Sequence, residues 1–120
     1  VLGFSKAAEL LLTGRMLSGA EAAGMGLVSR AVPAGDVLPA AVEMARDIAV
    51  NTAPVSVALA KRLMWEGLNT GVDEMIATEG RIINKLASSP DSVEGVRAFF
   101  EKRTPQWSMK VSSDTDTYRK

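Results

Sequence analysis

Apolar residues recur at the spacing of an α-helix through most of the chain beyond residue 35, and this pattern restricts the fold more than any other feature. Three consecutive segments show it, and each begins or ends at a recognisable signal. The first runs from Asp36 with Pro39 in its first turn, the second runs from Pro54 to Leu68, and the third runs from Gly71 to about Ser88. A proline costs little in a first turn, where the amide has no partner in the helix. The sequence therefore predicts a mainly α fold.

Two shorter helices are predicted before residue 26. Residues 5–12 form a helical pattern that stops at Gly14, with four residues expected to face inward: Ala7, Ala8, Leu11 and Leu12. Ser18 and Glu21 have the spacing of a capping box, in which each residue bonds the backbone of the other. Gly24 and Gly26 then limit the second helix to a turn or two.

One segment has the composition of a β-strand. Residues 27–32 are rich in β-branched side chains and are bounded by Gly26 and Pro33. A single strand leaves its backbone groups without partners, and no other segment reads as a partner strand. We therefore expect the strand to pair with a part of the fold that precedes this chain. The opening on Val1 rather than on methionine also suggests a fragment.

Composition excludes several classes of function. The chain has 120 residues, 47% of them hydrophobic, which suits one compact domain or a piece of one. Fourteen basic and fourteen acidic residues balance, which argues against nucleic acid or an anionic membrane as a partner. There is no cysteine for disulfides and no histidine, the usual general base and metal ligand, and no metal site is predicted. Without a membrane-spanning run or a signal peptide, a cytoplasmic protein is expected.

The segment from Asp91 to Pro105 predicts a helix with an aromatic stripe and a basic exit. Asp91 and Glu94 suggest a capping box, and Thr104-Pro105 suggests a stop. The stripe consists of Val96, Phe99, Phe100 and Arg103. Residue chemistry alone leaves two uses open for this surface, burial in the core or contact with a ligand that is both apolar and anionic. It leaves the same choice for Lys102 and Arg103, which could instead complement the helix dipole.

Other candidate sites have simpler structural explanations. Glu79 lies on the apolar face of the third long helix and could be an acid or base, but an ion pair with Lys61 or Arg62 is the favoured hypothesis. Three residues could line an acyl pocket but are better explained as core fillers: Met64, Trp65 and Met75. The glycines match no phosphate-binding loop.

Four motifs in order resemble the C-terminal part of the enoyl-CoA hydratase/isomerase (crotonase) family. They are residues 7–15, residues 18–28, Ala60-Lys61, and residues 94–105. The resemblance implies a mainly α C-terminal region of the crotonase-like (ClpP/crotonase) α/β fold, with the single strand belonging to a missing N-terminal spiral. It divides the chain into the end of the crotonase core (1–35), a helical region that builds trimer contacts and closes the acyl-CoA pocket (36–107), and a polar tail (108–120).

The same resemblance implies an enzyme that acts on an acyl-CoA thioester. The favoured activity is hydration of 2-enoyl-CoA in fatty-acid metabolism, by a homotrimer or a dimer of trimers that needs no cofactor beyond the coenzyme A (CoA) of its substrate. Two backbone amides stabilise the enolate in this family, and two glutamates add water; all lie upstream, so no catalytic residue is expected here. Another crotonase activity (isomerase, dehalogenase or hydrolase) and a non-enzymatic helical module for oligomerisation or partner binding are the alternatives.

Two positions match residues that contact CoA in related hydratases. Phe99 would place its ring against the CoA of a neighbouring subunit, and Lys102 would place its ammonium near phosphate. Val96 and Phe100 would then face inward, and Arg103 would have a structural role. The spacing of three residues allows Phe99 and Lys102 to share a face.

Overall fold

Helices make up the regular structure of this chain in a computed structural model that describes residues 2–118. Within that range there is no β-strand. The helices are α1 (Phe4–Thr13), α2 (Gly19–Gly24), α3 (Val37–Asn51), α4 (Pro54–Glu66), α5 (Val72–Ala87), α6 (Pro90–Glu101) and α7 (Val111–Asp114), with 3-10 turns at Ala34–Asp36 and Asp116–Tyr118. The prediction of a mainly α segment is confirmed.

The chain divides into two compact units after Glu43. Helix α3 begins in the first unit and ends in the second. The predicted assignment of ranges to a core end, a helical region and a tail stays a prediction, since a division by packing does not test what each range does.

Local signals set the helix ends of the first unit as predicted. Gly14 ends α1 in the left-handed conformation, with a φ of 61°, and donates its amide to the Leu10 carbonyl. Ser18 and Glu21 form the complete capping box: the Ser18 hydroxyl accepts from the Glu21 amide at 3.2 Å, and the Glu21 carboxylate accepts from the Ser18 amide at 2.8 Å. These ends need no distant contact because their partners lie within four residues.

The predicted strand over Leu27 to Val32 is absent. The amides of Leu27 and Val28 donate back to the Ala22 carbonyl, at 2.9 and 3.4 Å, so the segment begins by folding against the end of α2. The residues that follow have irregular backbone. The physical reason is the one the sequence suggested: a strand is stable only in a ladder, and residues 2–118 contain no second strand.

The predicted inward face of α1 is also wrong for this chain. Leu11 and Leu12 are 84% and 85% exposed, and Ala7 and Ala8 are only half-buried. Among the described residues up to Glu43, Ala22 alone is buried. The helical period of α1 was predicted correctly, but no other segment within residues 2–43 covers the apolar side of this helix.

The second unit has a small core built on α4 and α5. Helix α4 packs against α5 and α7, and α5 packs against α6. Val55 and Leu59 of α4 are 1% and 2% exposed and contact Ile82 of α5. Pro54 occupies the first turn of α4 and Gly71 precedes α5, so the limits predicted for these helices are confirmed to within two residues.

The segment after residue 108, for which the sequence predicts a polar tail, packs against α4. Helix α7 forms there, and the Tyr118 ring is buried in the core with Val55, Leu59 and Ile82. The Tyr118 carbonyl accepts a hydrogen bond from Arg62 at 3.3 Å. One aromatic ring on a polar segment supplies enough apolar area to favour docking. The last two positions of that predicted tail lie outside the described residues.

None of the helices within residues 2–118 is both long and apolar enough to cross a lipid bilayer.

Candidate functional site

Helix α6 contains Phe99 and ends directly before Lys102, and its N-cap lies two residues earlier than predicted. Ser89 is its N-cap, with its hydroxyl accepting from the Ser92 amide at 3.2 Å, and Pro90 occupies the first turn. The predicted capping box of Asp91 and Glu94 is therefore wrong. Proline has the φ of a helical residue already, so the helix starts at Pro90 and places Asp91 inside it.

Asp91 instead joins α6 to the segment that follows it. Its side chain accepts from the Ser108 amide at 2.7 Å, from the Ser108 hydroxyl at 3.0 Å and from the Met109 amide at 3.2 Å. The residue is 2% exposed. These three hydrogen bonds satisfy a carboxylate that would otherwise be buried without partners.

The end of α6 is a Schellman motif with a lysine in the position that usually holds glycine. Lys102 has φ 51° and ψ 43°, the only positive φ of a non-glycine residue among those described. Its amide donates to the Phe99 carbonyl at 3.3 Å, and the Arg103 amide donates to the Ala98 carbonyl at 3.1 Å. These two bonds define the motif and turn the chain away from the helix axis directly after Glu101.

An ion pair holds this turn in place. Arg103 donates to both carboxylate oxygens of Glu94, at 2.6 and 3.0 Å, and Glu94 also accepts from the Gln106 amide at 2.7 Å. Arg103 donates further to Glu101 at 2.6 Å. The hydrogen bonds from Arg103, followed by the one from Gln106, lower the pKa of Glu94 to about 2, and the Glu94 contact raises the pKa of Arg103. This geometry agrees with the structural role predicted for Arg103.

The aromatic stripe of α6 is open. Phe99 is 80% exposed and Phe100 is 77% exposed, with their rings in an edge-to-face contact at 5.8 Å between centroids. The inward orientation predicted for Val96 and Phe100 is wrong in this chain, because α6 turns Asp91 and Ala98 toward the core and leaves the stripe uncovered.

Phe99 and Lys102 lie within one turn of each other at the end of α6, since the Lys102 amide donates to the Phe99 carbonyl. Both residues are exposed. An aromatic ring and an ammonium at one helix end could contact a ligand with an apolar part and an anionic part.

The remaining candidates have other surroundings. Glu79 is exposed, and Arg62 lies 3.4 Å from Glu66 rather than pairing with Glu79. The predicted pair of Glu79 with Lys61 or Arg62 is therefore wrong. Met64 and Met75 line an open, mainly apolar groove of about 410 Å³ between α4 and α5, while Trp65 is 67% exposed and does not line it.

Acidic side chains do not gather into a metal-binding group anywhere in residues 2–118. Glu79 is the one ionisable residue among the described residues that line the apolar groove, so no second acid or base accompanies it there.

Some features of the site escaped the sequence reading. Ser89 and Pro90 begin α6, and a serine before a proline is a known signature of an N-cap and first turn that the predicted start at Asp91 overlooks. The Asp91 link to Ser108 spans 17 residues, and no local pattern announces it. The sequence likewise does not indicate that Lys102 adopts the left-handed conformation, because glycine or asparagine is the residue expected at such a helix end.

The chain matches the family model of enoyl-CoA hydratase/isomerase over residues 1–110. It is 40% identical over 109 residues to a protein of Dictyostelium discoideum described as a probable mitochondrial enoyl-CoA hydratase, covering 91% of this chain and 39% of that protein. It is 38% identical over 109 residues to the human mitochondrial enoyl-CoA hydratase domain-containing protein 2, covering 88% of this chain and 37% of the relative.

Comparison with solved structures gives the same family. A crystal structure of a probable enoyl-CoA hydratase/isomerase from Mycobacterium abscessus superposes with a TM-score of 0.86 at 45% identity, covering 91% of this chain and 43% of that one. The chain belongs to the enoyl-CoA hydratase/isomerase family. It spans about two fifths of the length of the curated relatives it matches. The predicted membership is confirmed, and so is the reading of this segment as the helical C-terminal part of a crotonase fold.

Proposed function

We propose that this chain is the C-terminal part of an enzyme that hydrates 2-enoyl-CoA thioesters. The main observation behind the proposal is that residues 1–110 match the enoyl-CoA hydratase/isomerase family model. The chain also has relatives that are described as enoyl-CoA hydratases. The covered portion is the C-terminal helical region, so the role proposed for this chain is to hold the substrate. The addition of water belongs to the rest of the enzyme.

Phe99 and Lys102 are the proposed contacts with CoA. The phenyl ring would pack against the apolar part of the ligand, and the ammonium would lie near a phosphate. Two observations support this assignment. Both residues are exposed at the C-terminal end of α6, and the bond from Arg103 to Glu94 holds the turn that contains Lys102. Arg103 is committed to Glu94 and Glu101, which leaves Lys102 as the cation available at this turn for a ligand.

The chemical step is assigned by the same proposal to groups outside this chain. In such an enzyme two backbone amides would stabilise the negative charge that develops on the thioester oxygen, and two glutamates would deliver water and a proton. The proposal also includes a homotrimer or dimer of trimers, with the CoA contacts donated to a neighbouring subunit. A role in fatty-acid metabolism, a cytoplasmic location and the absence of any further cofactor belong to the proposal as well.

The full-length enzyme with Lys102→Ala tests this assignment. Loss of a charge-assisted contact to phosphate should weaken CoA-ester binding by about 1–2 kcal/mol, and high salt should shrink the difference. KM for crotonyl-CoA and the inhibition constant of CoA are the measurements, each at low and high salt.

Lys110→Ala is the matched control, since it removes an exposed lysine beyond the turn. An unchanged KM in Lys102→Ala would remove Lys102 from the site. An equal loss in Lys110→Ala would show a diffuse charge effect instead of a specific contact.

A further inference from the structure

A polar pocket of about 480 Å³ lies in the second unit, between α4, α5 and the 3-10 turn that ends at Tyr118. It is separate in composition from the apolar groove lined by Met64 and Met75. Its polar lining comes from Arg62 and Glu66 of α4 and from Thr78, Arg81 and Lys85 of α5. Nothing in the proposed hydration uses these residues.

Among the described residues that line the pocket, positive charge exceeds negative charge. Two guanidinium groups and one ammonium accompany a single carboxylate, that of Glu66. Lys85 has an interaction of its own, and the two guanidinium groups are those of Arg62 and Arg81.

Both arginines line the pocket and have few partners. The Arg62 Nε atom is buried and has no hydrogen-bond partner within the described part of the chain; it lies 3.4 Å from Glu66 Oε1 without bonding geometry. The Arg62 NH2 group donates to the Tyr118 carbonyl at a long 3.3 Å. Arg81 donates one bond to the Thr78 hydroxyl at 3.1 Å. Since a guanidinium carries five N–H donors, most of them on its terminal nitrogens, each arginine can donate further bonds to an anion.

One wall of the pocket comes from the segment beyond the family match. The match ends at residue 110, and Tyr118 closes the pocket from the side of the core. The site therefore depends on a segment that the family model does not include.

We propose that this pocket binds a small phosphate-bearing anion. The planar fork of an arginine matches two phosphate oxygens, and the Thr78 hydroxyl can donate to a third. Ile82 and the Tyr118 ring offer an apolar wall for an organic substituent. The shared chemistry is a phosphate group, supplied by inorganic phosphate or by an organic phosphate monoester.

Titration of the 120-residue chain with inorganic phosphate and with phenyl phosphate, at low ionic strength, tests the proposal. Calorimetry gives the affinity, and backbone amide shifts of residues 78–85 give the location. We expect saturable binding, tighter for phenyl phosphate if the natural ligand is an ester and equal for both if it is the free ion. Failure of both to saturate would overturn the proposal, whatever becomes of the CoA assignment.

Three variants test whether the anion binds in this pocket. Arg81→Gln should weaken binding about tenfold, the effect of losing one charge-assisted bond. Arg81 is preferred to Arg62, which also holds the Tyr118 carbonyl. Glu66→Gln should tighten binding several-fold, because it removes the one carboxylate in the lining. Lys61→Gln changes an exposed cation on the same helix outside the lining and should shift the affinity less than about twofold.

Two results would contradict the site. Equal weakening in Lys61→Gln and Arg81→Gln would indicate diffuse attraction, and an unchanged or weaker affinity in Glu66→Gln would show that the anion does not lie beside that carboxylate. Far-ultraviolet circular dichroism of each variant confirms that the fold is retained before the comparison is made.

Discussion

Glu94 links the end of α6 to the chain that follows, and its charge is what makes the link. Arg103 donates two hydrogen bonds to its carboxylate and the Gln106 amide donates one, so protonation removes the anion that all three donors contact. The sequence predicted that Glu94 caps the start of α6. In the structure Glu94 instead accepts hydrogen bonds from Arg103, which lies beyond the end of α6.

The pH dependence of stability follows from this contact. The pKa of Glu94 is lowered to about 2 in the folded chain, against about 4.3 for an ordinary glutamate. A lowered pKa contributes stability that is present above pH 4.3 and is lost as the pH falls toward 2. We expect the wild-type midpoint of urea unfolding to fall over this interval, and Glu94→Gln to fall less steeply.

Arg103→Gln provides the matched comparison, because it removes the main cause of the lowered pKa while leaving the carboxylate. It should flatten the same part of the pH profile. Profiles as steep as that of the wild type in both variants would contradict the assignment.

Lys102 adopts a backbone conformation that its side chain disfavours. A left-handed residue with a Cβ atom costs roughly 1–2 kcal/mol, a cost that glycine avoids. Lys102→Gly should therefore raise the free energy of unfolding of this chain by roughly 0.5–1 kcal/mol in urea titrations, the net gain after the extra freedom of glycine in the unfolded state.

Lys102→Ala separates this backbone effect from the charge, since alanine keeps the strained conformation and lacks the cation. It should match the wild type in stability, whereas both variants should lose the proposed CoA contact in the full-length enzyme. Equal stability of the glycine and alanine variants would mean that the turn carries no strain.

At the scale of elements, Asp91 fixes α6 against the segment that leads to α7. Asp91→Ala leaves the Ser108 and Met109 amides without their acceptor at a site where the aspartate was 2% exposed. Ser108 is exposed and Met109 is half-buried, so water can replace part of what is lost. A loss of about 1–3 kcal/mol is expected in chemical denaturation.

Asp91→Asn keeps one acceptor oxygen and should cost less, and Ser108→Ala removes only the hydroxyl donor. A loss in Asp91→Ala no larger than in Ser108→Ala would show that the two amides find other partners. Loss of helical signal confined to α7 would locate the effect in the segment that Asp91 holds.

Trp107 links the segment after α6 to two helices. A Cβ atom on Gly95 would lie 3.5 Å from the Trp107 ring, an ordinary van der Waals distance, so the indole lies beside α6 with room for a methyl group. The Trp107 Nε1 donates to the Val50 carbonyl at 2.9 Å, which ties the end of α3 to the segment after α6.

At the scale of the whole molecule, each unit leaves large apolar side chains uncovered. Phe4 and Met16 are more than 90% exposed in the first unit, as Phe99 and Phe100 are exposed in the second. Surfaces of this kind are typical of interfaces. The family relatives are more than twice as long as the matched segment, which is consistent with a longer protein that covers these faces.

The proposed division of labour predicts that this chain alone does not hydrate crotonyl-CoA. The enoyl-thioester absorbance should stay constant over a time in which the full-length enzyme consumes the substrate. Turnover by the isolated chain at the rate of an ordinary enzyme would contradict the assignment of all catalytic groups to the rest of the protein.

The sequence by itself determined the helices and several of their ends. Gly14, Ser18 with Glu21, and Pro54 act through partners within a few residues, and the period of 3.6 is a local property, so these features could be read correctly without a structure. Family membership was also readable, because its motifs are short and keep their order.

Only the tertiary structure decided what each face meets. The burial of Asp91 and Tyr118 depends on segments 17 and more than 50 residues away in the chain. Residues 27–32 form no strand because residues 2–118 contain no second strand to pair with. The aromatic stripe of α6 is a further example, since the sequence predicted the stripe but not its exposure. A local pattern states that a helix has an apolar side, whereas contact between distant segments decides whether that side is covered.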